Sequence, residues 1–134
     1  MGTDITTVTL GQTDFRTEIA AGNHTFYVDE PGSLGGGDTA PDPYQLLLGS
    51  LGACKAITAR MYAKRKGWAL DEIRLDLRHS RPNGRGKEEL IEISVSLTGD
   101  LSEEQRERLK EITNACPVSK TIEGDLKVVS SLED

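Results

Sequence analysis

One long helix, signalled at both ends, constrains this chain more than any other feature. Asp42 can cap it, Pro43 suits the first helical position, and Gln45 can reach back to the cap. At the far end Lys64, Arg65 and Lys66 fill the last turn, and Gly67 suits a left-handed stop. Between these signals Leu47, Leu51, Cys54, Ile57 and Met61 recur at spacings of three and four. They form one apolar stripe, with Cys54 at its middle and therefore predicted to be buried. Gly49, Gly52, Ala53, Ala56 and Ala63 form a second stripe of small residues. Glycine inside a helix costs about 1 kcal/mol relative to alanine, so this stripe predicts that another backbone packs closely against it.

The segments around the helix read as strands. Residues 5–10, 15–19 and 24–28 are β-branched or alternating, and Ala21-Gly22-Asn23 supplies a turn between the last two. Residues 31–43 form a Gly- and Pro-rich loop. Gly35-Gly36-Gly37-Asp38 lies at its centre, but no Gly-Lys-Ser/Thr follows, so it lacks a phosphate-loop pattern. Residues 71–79 place Ile73, Leu75 and Leu77 on one face, and residues 90–97 repeat the alternation with Ile91, Ile93, Val95 and Leu97. Pro82-Asn83-Gly84 lies between them, which predicts a long antiparallel hairpin. A second helix is signalled by the capping box Ser102…Gln105, with Leu109, Ile112 and Ala115 leading to Cys116. Residues 126–129 predict a final strand. The expectation is an α+β fold in the order βββ-α-ββ-α-β, forming one domain over residues 1–134.

Composition narrows the function classes. Net charge is −6, which argues against nucleic-acid or anionic-membrane partners, since both require a basic surface. No apolar run approaches a membrane span, and no basic-then-apolar leader opens the sequence. A cytoplasmic protein is expected. Aromatic residues make up only 4% of the chain, so the core must rest on Leu, Ile, Val and Ala.

The chain holds two cysteines, and each lies where thiol chemistry is favoured. Cys54 is predicted to be buried mid-helix. Cys116 precedes Pro117, where backbone N–H groups and a helix dipole favour a thiolate. One buried and one polarised thiol are what a peroxide-reducing dithiol needs, provided tertiary packing brings the two within disulfide reach. The alternatives are a small core residue at Cys54 and a helix-end filler at Cys116. Arg16 is either a surface charge or a guanidinium that stabilises a Cys54 thiolate. His24 and His79 have no metal-ligand spacing with each other or with the cysteines, so no metal or cofactor is expected.

Three stretches stand out together: Pro31-Gly32-Ser33-Leu34-Gly35-Gly36-Gly37, the run from Pro43 to Cys54, and Ala115-Cys116-Pro117-Val118-Ser119. With them the chain resembles the OsmC/Ohr family (osmotically inducible and organic hydroperoxide resistance proteins), and the resemblance covers nearly all of it. The resemblance implies an intertwined homodimer whose long helices lie at the centre, with active sites between subunits. It also implies that Cys54 attacks a hydroperoxide, that Cys116 resolves the product as a disulfide, and that a dithiol, of lipoyl type in the organic-hydroperoxide branch, regenerates the pair. Peroxidase members carry a glutamate ten residues before the first cysteine, where this chain has Tyr44, and an arginine near which Arg16 lies out of register. The resulting expectation is an organic hydroperoxide reductase using Cys54, Cys116 and Arg16. Leu51, Ile57 and Met61 would form an apolar substrate pocket. The rival expectation is a non-catalytic dimer that holds a small apolar ligand or a partner protein in the same cleft.

Overall fold

The chain is described by a computed structural model covering residues 5–133. It divides into two compact units, Met1–Leu47 and Leu48–Asp134.

In the first unit three short strands form an antiparallel sheet in the order β1 (Thr6–Thr9), β2 (Thr17–Ala21), β3 (His24–Val28). Gly22, with φ of 59°, makes the tight turn between β2 and β3. Ile19 and Val28 are the buried apolar residues of this sheet. A single 3-10 turn, Gly32–Leu34, begins the glycine-rich loop. That loop folds back on the chain after β3: Asp38 N–H donates to the Glu30 carbonyl at 3.0 Å. A Cβ on Gly36 would lie 2.0 Å from the Glu30 carbonyl oxygen, so only glycine fits there.

The long helix α1 runs Pro43–Lys66. Its start is the reciprocal cap foreseen in the sequence. Gln45 N–H donates to the Asp42 carboxylate at 2.8 Å, and Asp42 N–H donates to the Gln45 side-chain oxygen at 3.0 Å. Its end is a left-handed stop at Gly67, φ 71°, closed by N–H bonds from Gly67 to the Lys64 carbonyl and from Trp68 to the Ala63 carbonyl.

In the second unit β4 (Glu72–Ser80) pairs with β5 (Leu90–Thr98) as an antiparallel hairpin. Ile73 faces Leu97, Leu75 faces Val95 and Leu77 faces Ile93, so the half-buried apolar positions of both strands share one face. Helix α2 (Glu103–Thr113) opens with the Ser102–Gln105 capping box. Helix α3 (Pro117–Glu123) follows after three residues, with Cys116 at its N-cap.

Two apolar clusters line the buried side of α1. One joins Ala59, Ala63, Leu70 and Leu109 with half-buried Tyr62, Trp68, Ile73, Leu97 and Leu101. The other joins Leu51, Cys54 and Cys116 with Leu77, Ile91, Ile93, Val118 and Ile122.

Several expectations are corrected. Residues 126–129 form no strand. Leu126, Val128 and Val129 are 58–84% exposed. Their β-branched pattern supplies propensity, but a strand also needs a backbone partner, and none pairs with them among the described residues. A third helix takes the place of that strand in the order. The buried side of α1 is also rotated from the predicted stripe: Leu51 and Cys54 are buried, whereas Ile57 and Met61 are 58% and 64% exposed. The buried row instead runs through Gly52, Lys55, Ala59 and Ala63. What approaches Gly52 is a side chain, Leu77, rather than a backbone, and a Cβ there would lie 2.9 Å from Leu77 Cδ1. Gly49 has nothing within 4 Å of an added Cβ. On α2, Thr113 rather than Ala115 completes the buried face with Leu109.

Leu109 is 0% exposed in the first of these clusters. Truncating it to alanine removes apolar contact and leaves a cavity, so Leu109→Ala is expected to lower stability by about 2–5 kcal/mol. Urea unfolding of the variant against wild type checks this, and an unchanged midpoint would refute the packing.

Candidate functional site

The second apolar cluster contains the only two cysteines, both buried and both free. Cys54 comes from the middle of α1, and its inward position follows from the helical spacing that places Leu51 and Lys55 beside it. Cys116 comes from the corner between α2 and α3. Its extended backbone (φ −62°, ψ 127°) and Pro117 at the first helical position make it the N-cap of α3. Its Sγ accepts from Ser119 N–H at 3.3 Å. The two thiols lie in the same packed cluster, and each bears on the other's ionisation.

Their environments push the two thiols in opposite directions. Burial acts against a Cys54 thiolate, but Cys116, the Val118 N–H and the Lys55 charge, with Thr58 close by and donating to the Cys54 carbonyl at 2.8 Å, together hold Cys54 below the ordinary thiol range. Cys116 is pushed up, first by burial and then by its bond to Cys54, against a weaker downward pull from the Ser119 and Val118 N–H groups. The sequence expectation that Cys116 is the polarised thiol is therefore corrected. It does cap a helix, but burial and the neighbouring sulfur outweigh the cap, and Cys54 receives the thiolate stabilisation.

A cleft of about 480 Å³ lies beside the cluster. Its apolar lining includes Leu51, Ile91, Ile93 and Ile122, and its polar lining includes Lys55, Ser119, Glu89 and Glu123. Of the three expected pocket residues, Leu51 lines this cleft, whereas exposed Ile57 and Met61 do not. Ser119 hydroxyl donates to Glu123 Oε2 at 2.7 Å. Glu89 holds His79 at 2.6 Å and Arg81 at 3.3 Å, and these partners keep its carboxyl below the usual range.

Arg16 belongs to the first unit. Its guanidinium donates to Thr39 Oγ1 at 2.7 Å and stacks 4.1 Å above the centre of the Tyr27 ring. Thr39 in turn donates from its hydroxyl (2.6 Å) and its N–H (3.2 Å) to Asp29, a buried carboxylate held below its ordinary range mainly by the Thr39 hydroxyl. Tyr44, at the position of the family glutamate, is 46% exposed.

Neither Lys55 nor Thr58 is marked by a sequence motif, and Val118 and Ser119 belong to the Cys116 motif without being marked there as donors. The available signal was Lys55 itself, a charge placed four residues after Leu51 and four before Ala59 on an otherwise apolar row. The backbone donor from Val118 has no sequence signature beyond the Cys-Pro start of α3. Among the described residues no group of three or more His, Cys, Asp or Glu side chains is arranged to hold a metal ion. No described helix is long and apolar enough to cross a membrane.

The sequence model of a family described as "OsmC: OsmC-like protein" matches residues 35–131. Among curated proteins there is no significant match. Similar solved structures include an OsmC-like protein from Mycoplasma pneumoniae, at 21% identity and TM-score 0.75, covering 90% of this chain and 86% of that one. An organic hydroperoxide resistance protein OsmC from Legionella pneumophila gives 22% identity and TM-score 0.65, covering 94% of both chains. An organic hydroperoxide resistance protein from Elizabethkingia anophelis gives 21% identity and TM-score 0.65, covering 91% of this chain and 89% of that one. At these identities the likeness establishes the fold.

The opposed shifts of the two thiols have a direct consequence for reactivity. The thiolate is the nucleophile, so the thiol held lower reacts first at a given pH. Iodoacetamide at pH 7–8 is expected to modify Cys54 ahead of Cys116, as read by peptide mapping after brief exposure. Faster labelling of Cys116 would overturn the assignment.

Proposed function

We propose that this chain, which belongs to the OsmC-like protein family, is a thiol-dependent peroxidase that reduces organic hydroperoxides through Cys54 and Cys116. The observation that carries this reading is the pair of buried free thiols packed in one cluster, with Cys54 held down and Cys116 pushed up. Two titratable groups driven apart by their surroundings divide into a nucleophile and its partner. The solved relatives named for organic hydroperoxide resistance support the substrate class.

In the proposed reaction the Cys54 thiolate sulfur attacks one peroxide oxygen. An S–O bond forms and the O–O bond breaks. The peroxide leaves as an alcohol after its alkoxide takes a proton, and Cys54, oxidised by two electrons, becomes a sulfenic acid. The Cys116 sulfur then attacks Cys54 sulfur, forms the disulfide and releases the sulfenic oxygen as water. An external dithiol of lipoyl type restores the pair by disulfide exchange. Arg16 is proposed as an additional cation that favours the Cys54 thiolate. Leu51, which lines the cleft beside the cysteines, is proposed to receive the alkyl part of the substrate.

Replacing either cysteine separates the steps. Cys54→Ser is expected to abolish consumption of cumene hydroperoxide, and Arg16→Ala to slow it. Cys116→Ser is expected to consume one equivalent and stop at a sulfenic acid on Cys54, trapped by dimedone and seen by mass spectrometry. Oxidised wild type should lose two protons in mass as an intrachain disulfide. Full turnover in Cys54→Ser would sink the proposal. A non-catalytic dimer holding an apolar ligand in the same cleft is favoured by one feature, Tyr44 in place of the family glutamate. Wild-type protein that leaves the peroxide untouched would decide for that reading.

The proposed working form is a homodimer. Ile57 and Met61 stand exposed on α1, and Leu126, Val128, Val129 and Leu132 stand exposed beyond α3, a large apolar surface for a short chain. Light scattering at low micromolar concentration should give about twice the chain mass of 14.6 kDa. A folded species of single-chain mass would refute it.

A further inference from the structure

Lys55 directly follows Cys54 on α1 and is only 5% exposed. Its ammonium donates to the Thr113 carbonyl at 3.2 Å, at the last turn of α2. Among the described residues no carboxylate lies within 4 Å of it. The two glutamates that line the same cleft are held elsewhere: Glu89 by His79 and Arg81, Glu123 by the Ser119 hydroxyl. A buried ammonium with one carbonyl partner and no anion is costly, and a fold retains such a group where a counter-charge forms beside it. The anion available in the same cluster is the Cys54 thiolate.

We propose that Lys55 is a positioning residue whose buried charge, fixed by the end of α2, balances the thiolate at Cys54. The inference deepens the peroxidase reading and rests on it only for the consequence in turnover. Lys55 acts through Cys54 and is assigned no contact with substrate. It differs from the other partners of the Cys54 thiolate in kind. Cys116 and the Val118 N–H act on it as neutral groups, and the Thr58 hydroxyl donates to the Cys54 carbonyl at 2.8 Å, whereas Lys55 brings a full charge. The other titratable or charged groups around the cluster are Cys116 and Glu123 on α3 and Glu89, His79 and Arg81 on the hairpin, while α2 meets Lys55 through the Thr113 carbonyl. The anchoring geometry also explains why the lysine does not extend to solvent, as lysines usually do.

The test is the pH profile of Cys54 alkylation by iodoacetamide, resolved from Cys116 by peptide mapping, in wild type, Lys55→Met, Lys55→Gln and Lys55→Arg. Circular dichroism and thermal melts identify the folded variants, and the two neutral replacements differ in polarity, so the profile is read on either. The neutral variants are expected to shift the alkylation midpoint to higher pH and to slow labelling at pH 7 by roughly threefold or more, the direction set by losing a nearby cation. Lys55→Arg should stay near wild type, because it keeps the charge. Superimposed profiles for wild type and a neutral variant overturn the proposal. So does a shift in Lys55→Arg as large as in Lys55→Met, which would make Lys55 a packing residue. Alkylation needs no peroxide turnover. A protein inert toward peroxide would therefore remove the peroxidase reading while leaving this one to stand or fall on its own data.

Discussion

The seating of α1 on the β4–β5 hairpin is the contact from which the rest of the second unit follows. Gly52 lets the helix come down onto Leu77, close enough that a Cβ would lie 2.9 Å from a Leu77 methyl. Two and three turns on, Ala59 and Ala63 are 0% and 1% exposed. A row of small residues thus sets the helix low over the sheet face made by Ile73, Leu77, Ile91, Ile93 and Leu97. The rotation that buries this row also determines which neighbours turn inward. Cys54 lies at one margin of the buried side and Lys55 well within it. A helix rotated to bury Ile57 and Met61 instead would carry Lys55 outward, and the charge beside the thiols would be solvated and screened.

Burying a lysine beside two thiols is expensive in isolation. Removing an ammonium from water costs several kcal/mol even after relaxation, and a hydrogen bond to a charged group returns about 1.5–3 kcal/mol. One bond to the Thr113 carbonyl leaves a deficit. A thiolate held within the same cluster reduces it, and the opposed directions of Cys54 and Cys116 describe the same economy from the sulfur side. Only one of two touching thiols can ionise cheaply, since the second anion would meet the first without water between them. The donors decide which one. Cys54 is favoured by Cys116, the Val118 N–H and the Lys55 charge, whereas Cys116 lies fully buried and is disfavoured by burial and by the neighbouring sulfur.

Local chemistry made much of this readable from the sequence. Caps are short-range, so Asp42, Gln45, Gly67, Ser102 and Gln105 set helix ends that the structure reproduces bond for bond. Two-residue alternation marks the apolar face of each hairpin strand, while the pairing of Ile73 with Leu97 is set by the folded register. Meeting of the two cysteines required tertiary packing, and the pattern could only permit it. Helix rotation was misread because Leu47, Ile57 and Met61 are more apolar than Gly52, Lys55 and Ala59, and hydrophobic spacing weighs side chains without knowing how closely the partner approaches. The strand expected over residues 126–129 failed for a related reason: propensity is local, but pairing is not. The relative ionisation of the thiols was also beyond reach. A helix cap at Cys116 is visible in Cys-Pro, whereas Val118 N–H aimed at Cys54 is a product of the corner's geometry.

That corner, residues 113–118, is where the site's charges are arranged. Helix α2 ends there with the Thr113 carbonyl turned to Lys55, and α3 begins there with Cys116 as its cap. Both ends meet the same turn of α1. The carbonyl end takes Lys55 through Thr113, and at the N–H end Ser119 donates to Cys116 while the Val118 N–H favours the Cys54 thiolate. Each polar terminus would otherwise need water, and each buried side chain would otherwise lack a partner. Adjacent residues on α1, one cationic and one nucleophilic, are satisfied by opposite ends of two consecutive helices. Pro117 makes this possible: it cannot extend α2, it starts α3 without needing a donor, and it keeps the two termini within a few residues of each other. A straight continuation of α2 through residue 117 would bond these carbonyls and N–H groups to one another. Neither Lys55 nor the sulfurs would then have a backbone partner.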